Sequence, residues 1–416
     1  MSTKKTSEPV TPESVQAIVL DKKILLLVTG GVAAYKAAYL ARLFTKNGAV
    51  VRTALTEGAT HFITPLSFES LTNQKAISSI WDRGTPEIEH ISWSEWADLL
   101  VVAPATANFL AQAASGLAPD FALAAFLAYN RPALLAPAMN SNMFRNPITQ
   151  KNMDTLKGLG HHVMSPGVGL LACGVTGEGR MPEPEEIFYR AAKILSPQNL
   201  RGKKILITGG STREPWDSIR FLSNLSTGLM GVELAQAAWL MGAEVELILG
   251  PMAKEPQIED AHLTVTRIET TRDLLNMVVT KLKGKDALFM AAAPADFRPE
   301  TAINGKIKKG KDATNSIPLA QNPDILKSIA NDRDKNTIIV GFNADEEKIL
   351  LDCAKTKLEE KMLDYIVANP AAGDQSSFAS NDTSFHILKK GGKLLHTGRA
   401  SKFSAAWTIL NTVFSN

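Results

Sequence analysis

A short apolar run that breaks into glycine occurs twice in this chain, and that duplication constrains the fold more than any other feature. Ile24–Val28 leads into Thr29-Gly30-Gly31, and Ile205–Ile207 leads into Thr208-Gly209-Gly210-Ser211-Thr212. A buried strand followed at once by glycines and hydroxyls opens a nucleotide-binding α/β unit. The glycines let main-chain N–H groups approach a phosphate, and the following helix adds its positive end. Two such openings predict two domains, and 416 residues give each enough chain for its own core. The glycines do not follow the G-x-G-x-x-G spacing of a dinucleotide fingerprint.

The remaining composition mostly excludes. An apolar fraction of 45% with 21% charged residues is ordinary for soluble globular protein. A formal net charge of +3, with only one basic cluster at Lys306–Lys311, does not imply nucleic acid. Residues 1–20 read as a disordered tail, because Met1–Glu13 is polar and has neither the apolar core of a signal peptide nor that of an anchor. Leu99–Pro119 is uncharged and long enough to span a membrane. Its Pro104, Thr106, Asn108, Gln112 and Gly116 suit a buried strand, loop and helix instead, so no membrane partner is expected. Cys173 and Cys353 are far apart and in no metal-like spacing, which fits a reducing, cytoplasmic setting.

In the first half, strands and helices alternate: Ala33–Asn47 as a helix, Ala49–Leu55 as a strand, then strands at Trp96–Ala103 and Arg131–Ala136. That alternation predicts a parallel, doubly wound sheet with ligands at the carboxyl ends of its strands. Thr29-Gly30-Gly31, Pro104–Asn108 and Pro137–Asn140 all fall at such ends.

Four blocks, GGVAAYK (Gly30–Lys36), APATAN (Ala103–Asn108), PAMNSNMF (Pro137–Phe144) and ACGVTGEGRM (Ala172–Met181), resemble the FMN-binding phosphopantothenoylcysteine decarboxylases, in family order. The resemblance implies a flavodoxin-like FMN-binding fold over residues 21–198, with Gly30, Gly31, Ala105, Thr106 and Asn108 at the FMN. It also implies the chemistry. Loss of CO2 from a cysteine carboxylate leaves a carbanion with nowhere to delocalise, and in the family FMN oxidises the thiol first. Asn140 then matches the carboxamide that holds the departing carboxylate, Cys173 the thiol that supplies a proton, and His90 the active-site histidine. The glycines flanking Cys173 (Gly167, Gly169, Gly174, Gly177, Gly179) suggest a flap that closes over substrate and excludes water. Taken alone, Cys173 reads as buried filler, His90 as a structural histidine and Asn140 as a helix cap; Cys353 is left as structural.

After a polar connector at Ser196–Gly202, the second half (199–416) alternates again, with a helix at Thr271–Lys283 and strands at Glu244–Leu249, Ala287–Ala292, Thr337–Gly341 and Tyr365–Ala368. The whole chain is therefore expected to be two Rossmann-like, doubly wound parallel-sheet domains. TREPWDSIRFLSNLSTGLMG (Thr212–Gly231), AAAPADFRP (Ala291–Pro299), KIKKG (Lys306–Gly310), NPDIL (Asn322–Leu326) and VGFNAD (Val340–Asp345) resemble phosphopantothenate–cysteine ligase. A carboxylate is a poor electrophile and must be activated, here by attack on the α-phosphate of a nucleotide. By resemblance the nucleotide is CTP, with Mg2+ held through its phosphates. Its site would comprise Met290, Ala291, Ala292, Asp296, Lys306, Pro323, Asp324, Ile325, Leu326, Phe342, Lys357 and Lys361. Lys306 would act in forming the acyl-cytidylate, together with the basic Lys308 and Lys309, and Asn224 would handle that intermediate. Physics of the sequence alone does not separate CTP from ATP, and a solvated charge run is the plain reading of Lys306–Lys311.

Joined in this order, the halves resemble the bacterial bifunctional coenzyme A biosynthesis proteins. That implies 4′-phosphopantothenate, L-cysteine and CTP as small-molecule substrates and a homo-oligomer built through both domains. The chain departs from the family pattern at Leu229, where a lysine is common, at Ser218 in place of a proline, and at Pro370 in place of an aspartate. Rival readings of the flavin half are a flavin-binding regulatory protein, a flavin prenyltransferase or a peptidyl-cysteine decarboxylase. A fused ligase-like half, which would make the substrate that the first half consumes, argues against all three.

Overall fold

The computed structural model describes residues 14–81, 89–170, 174, 176–256, 258, 260–306, 316–370, 382–392 and 394–415, with the main chain only at Leu170. Two compact units emerge, one of Val15–Ser196 and one built from Pro197–Asn416. The expected tail to residue 20 is too long. Gln16–Val19 form a 3-10 turn, and Val15, Ile18 and Val19 are buried, so the fold is already engaged at Val15.

The first unit carries a parallel sheet of β1 (Lys23–Val28), β2 (Val50–Leu55), β3 (Ala76–Ile77), β4 (Leu99–Ala105), β5 (Leu134–Pro137) and β6 (His162–Val163), in the order β3-β2-β1-β4-β5-β6. β1 and β4 lie inside the sheet with helices on both faces, which explains their unbroken apolar runs; every residue of β4 is buried. The membrane-length stretch resolves into β4 and the helix Ala107–Ala114, and no described helix is long and apolar enough to cross a membrane. β4 begins at Leu99 rather than Trp96, because Glu89–Trp96 is helical. β7 (Gly167–Leu170) and β8 (Thr176–Arg180) form a separate antiparallel hairpin.

In the second unit β9 (Lys204–Gly209) is followed by a small hairpin, β10 (Arg213–Pro215) with β11 (Phe221–Ser223). The main sheet continues with β12 (Glu244–Leu249), β13 (Leu263–Arg267) and β14 (Ala287–Met290). β15 (Phe297–Pro299) pairs with β16 (Leu319–Gln321), and β17 (Ile338–Asp345), β18 (Tyr365–Pro370), β19 (Asp382–Lys389) and β20 (Leu394–Ser401) complete the set. The sheet order is β13-β12-β9-β14-β17-β18-β19-β20. Its first six strands are parallel, as expected, but β19 and β20 add antiparallel to β18, so this sheet is mixed. A parallel strand needs a long crossover, whereas β19 and β20 are joined by a tight turn that no apolar-run reading of Asp382–Ser401 had singled out.

The helix Leu229–Leu240 is buried along nearly its whole length between this sheet and the last helix, Lys402–Phe414. Its close approach to β9 depends on paired glycines: a Cβ on Gly231 would lie 2.7 Å from Gly209 Cα and 2.8 Å from Thr208 O. Gly231→Ala is therefore expected to cost the second unit about 1–3 kcal/mol through overpacking. Calorimetry resolving the two units would test this, with the transition of the first unit as internal control. An unshifted transition of the second unit would contradict it.

Candidate active sites

Both sheets reverse strand order beside their first strand, between β1 and β4 and between β9 and β14. Connections diverge there, leaving a crevice at the carboxyl ends of the strands. Each unit has a cavity at that place.

In the first unit the cavity is about 1070 Å³, and its walls include Thr29, Gly30, Gly31, Gly58, Thr106, Asn108, Asp120, Met139, Asn140 and Arg180. One buried hydroxyl fixes its floor. Thr29 Oγ1 donates to Pro104 O at 2.7 Å and accepts from Thr106 N at 3.2 Å, tying β1 to the loop after β4. Thr106 caps the helix Ala107–Ala114 through Phe109 N, and Asp120 caps Phe121–Ala128 through Leu123 N. Gly30 and Gly58 meet closely, since a Cβ on Gly30 would come within 2.6 Å of the Gly58 carbonyl carbon. Asn140 caps Ser141–Arg145 with Oδ1 accepting from Asn142 N at 2.9 Å, which sets the orientation of its carboxamide.

The β7–β8 hairpin docks on the same loop. Met139 N donates to Gly179 O at 2.9 Å, and Ser141 Oγ donates to Glu178 O at 2.6 Å. Lys36, nearly fully buried, reaches Glu183 Oε1 at 2.8 Å, and Arg180 meets the same carboxylate at 3.1 Å. Helix Ala34–Lys46 is thereby bound to the chain that follows the hairpin.

Of the residues expected at FMN, Gly30, Gly31, Thr106 and Asn108 line this cavity. Ala105 does not: its side chain belongs to the apolar core with Leu27 and Val102, because the strand alternation at the end of β4 turns it inward. Asn140 lines the cavity as expected. His90 does not; its ring stands edge-on to Phe121, with 6.4 Å between centroids, and Phe121 follows the lining residue Asp120. Cys173, which falls between β7 and β8 in sequence, lies outside the described residues. Thr29, Lys36, Gly58, Asp120 and Arg180 were missed. For Thr29 the signal was present, as the same threonine-glycine-glycine step closes both first strands.

The second cavity is about 360 Å³ and sits at the carboxyl ends of β9, β14 and β17. Met290, Ala291, Ala292, Asp296, Pro323, Asp324, Ile325, Leu326, Phe342 and Lys361 all line it, as expected. The loop 291–296 is pinned from several sides. Thr208 Oγ1 accepts from Ala292 N at 3.1 Å, Thr212 Oγ1 accepts from Ala295 N at 3.0 Å, and Asn322 Nδ2 donates to Ala295 O at 2.9 Å. Buried Glu214 holds Thr271 through its main-chain N–H at 2.9 Å and its hydroxyl at 2.8 Å. Neither Glu214 nor Thr271 was singled out in the sequence.

Asn224 is not on the cavity wall, but its Nδ2 donates to Pro294 O at 3.0 Å, against a loop that is. Lys361 pairs with Asp324 at 3.2 Å. Lys357 stands off the wall; it donates to Asn343 Oδ1 and lies 3.4 Å from Asp345, so it orients a lining residue rather than facing the cavity. Lys306 is exposed and also off the wall, and Lys308 and Lys309 fall outside the described residues. Leu229, the family's frequent lysine, lines the cavity at the first turn of its helix. Lys402 lines it too, and was not expected there. Burial pushes the Lys402 ammonium down from its ordinary pKa while Glu233 pulls it up, and burial raises Glu233.

Two doubly wound α/β units, each with a cavity at its switch point, define a two-site nucleotide- and cofactor-binding protein. Comparison with known proteins is specific. The Flavoprotein family model matches residues 14–196, and that of the DNA/pantothenate metabolism flavoprotein C-terminal domain matches 200–416. The coenzyme A biosynthesis bifunctional protein of Vibrio cholerae serotype O1 is 39% identical over 89% of this chain and 93% of its own. That of Bacillus subtilis strain 168 is 36% identical over 94% and 97%. A crystal structure of the C-terminal domain of a coenzyme A biosynthesis bifunctional protein aligns at 32% identity and a TM-score of 0.43, covering 52% of this chain and 96% of that one. The chain belongs to the family of bifunctional coenzyme A biosynthesis proteins. It is an enzyme with a flavoprotein decarboxylase half and a ligase half.

Gly179 has φ +127°, and a Cβ there would lie 2.2 Å from Met139 O. Gly179→Ala is expected to displace the Met139–Asn140 loop and weaken flavin binding at least about fivefold. Absorbance titration with FMN tests this, and an unchanged affinity would contradict it.

Proposed function

We propose that the chain carries out two consecutive steps: CTP-dependent joining of cysteine to 4′-phosphopantothenate, then FMN-dependent decarboxylation of the 4′-phosphopantothenoylcysteine formed. The observation that carries this reading is that ten residues matching the ligase's nucleotide motifs fall on one cavity wall at a switch point.

In the ligase half, a carboxylate oxygen of 4′-phosphopantothenate attacks the α-phosphorus of CTP and pyrophosphate leaves. The cysteine amine then attacks the acyl carbon of the acyl-cytidylate, and the amide forms as CMP departs. The pinned loop 291–296, Phe342 and the Pro323–Leu326 turn form an enclosed, largely apolar recess suited to the base. Asn224, anchored on that loop, offers a carboxamide to the acyl-cytidylate. Lys306 is assigned to the triphosphate by resemblance alone, with Mg2+ as the counter-ion that such a phosphate chain carries.

The residues of the first cavity fit FMN. Gly30 and Gly58 leave no side chain between ligand and main chain, the helices starting at Ala34 and Ala107 bring N–H groups to the same edge, and Met139, Phe109 and Leu123 supply an apolar wall for a ring. Bound FMN supplies a two-electron oxidation of the substrate's cysteine moiety and its later reversal. Asn140 holds the departing carboxylate by hydrogen bonding, and Cys173 delivers the proton that completes the product. Assembly into a homo-oligomer fits the large apolar side chains exposed on the first unit, among them Tyr35, Tyr39, Phe62 and Leu66.

The two halves are separable by mutation. Asn224→Asp is expected to lower coupling by at least about a hundredfold while decarboxylation of supplied 4′-phosphopantothenoylcysteine continues. Cys173→Ser should do the reverse, stalling before 4′-phosphopantetheine with coupling intact. Assaying each half with its own substrate checks both variants. A coupling rate unaltered by Asn224→Asp, or normal 4′-phosphopantetheine from Cys173→Ser, would refute the corresponding role.

A further inference from the structure

Lys402 is the first residue of the last helix, Lys402–Phe414, and is only 7% exposed. Its position is electrostatically poor three times over. Burial removes water from the ammonium. The amino end of a helix is its positive pole, so a cation there is disfavoured. Among the described residues Lys402 has neither a hydrogen bond nor an ion pair to offset this. Glu233 is its nearest counter-charge but does not come within ion-pair distance, and that carboxylate already accepts from Gln236 Nε2 at 3.1 Å. A methionine would fill the same space without a charge, so packing of the aliphatic stem does not account for a lysine.

What Lys402 does face is the ligase cavity, to which its ammonium is open. The same cavity is lined by the start of the helix Leu229–Leu240, where Gly228 occupies the cap position at φ +74° and no side chain caps the helix. Ser226 Oγ is turned to Gly228 N at 3.3 Å, which shapes the loop and leaves the first-turn N–H groups of the helix to another acceptor. Glu233 lies one turn beyond Leu229, so the ammonium beside it stands near the opening turns of this helix. A buried cation without a partner and an uncapped helix start thus meet on one wall. Both are made good by one kind of ligand, a phosphate.

We propose that Lys402 and the uncapped start of the helix Leu229–Leu240 form the subsite that holds the phosphate chain of the nucleotide in the ligase half. This rests on the ligase reading above. Lys402 is in this account a substrate-binding residue, and Glu233 a positioning residue that keeps the ammonium beside the helix when no nucleotide is bound.

The test uses the full FMN-loaded chain and calorimetric titration with three probes: CTP, cytidine and 4′-phosphopantothenate. Lys402→Met keeps the length of the stem and removes the charge. It is expected to weaken CTP binding about tenfold or more while cytidine and 4′-phosphopantothenate stay within about twofold. Cytidine binding doubles as the check that the pocket is folded, and Lys402→Arg should recover most of the CTP-to-cytidine ratio. An unchanged CTP affinity, or equal losses for CTP and cytidine, would overturn the subsite. A loss confined to 4′-phosphopantothenate would assign the cation to the other phosphate and overturn the proposal as well. Failure of the wild-type chain to bind CTP or to couple would sink the ligase reading itself, which separates the two failures.

Discussion

A threonine hydroxyl at the end of each first strand is the interaction on which both sites depend. Thr29 bridges Pro104 and Thr106, and Thr208 receives Ala292 N. In each unit the neighbouring strand at the switch point, β4 or β14, turns away from the first strand just where ligand must enter. Main-chain groups at such a break lose their sheet partners, and a buried unpaired N–H or C=O costs about 1–3 kcal/mol. The threonine supplies the missing partner from the floor. The loops 104–108 and 291–296 are thereby held rigid at the mouth of a crevice, with their remaining polar groups facing the cavity.

Glycine completes the arrangement by deleting side chains where main chains must touch. Gly30 against Gly58 in one unit, and Gly231 against Gly209 in the other, bring backbone to backbone below the distance any Cβ would allow. The consequence is a pair of cavities walled largely by main chain. Their specificity then falls to a few side chains carried on separate elements: Asn140 and Arg180 in the first, Asp296, Phe342, Lys361 and Lys402 in the second.

Much of this was legible in the sequence because it is local. The repeated threonine-glycine-glycine step, the apolar runs and the small-residue loops at strand ends each lie within a few consecutive residues, and they mark the parallel sheets and ten positions on the ligase cavity wall. Ala105 was misjudged for a local reason too, since a strand continues to alternate through Pro104 and buries it. What was not legible depends on distant chain segments. Lys402 follows Asn224 by well over a hundred residues and has no motif around it; only the packing of the last helix on Leu229–Leu240 brings it to the cavity. Lys357 and Lys361 share a helix face, yet a single side-chain hydrogen bond to Asn343 turns one of them aside.

The central claim, that the two cavities catalyse successive steps on one substrate, is met most directly by mass spectrometry of a single incubation. Purified, FMN-loaded chain would receive 4′-phosphopantothenate, cysteine, CTP and Mg2+. The account predicts 4′-phosphopantetheine accompanied by CMP and pyrophosphate, with 4′-phosphopantothenoylcysteine passing through as a transient. Absence of any coupled product with CTP would contradict it.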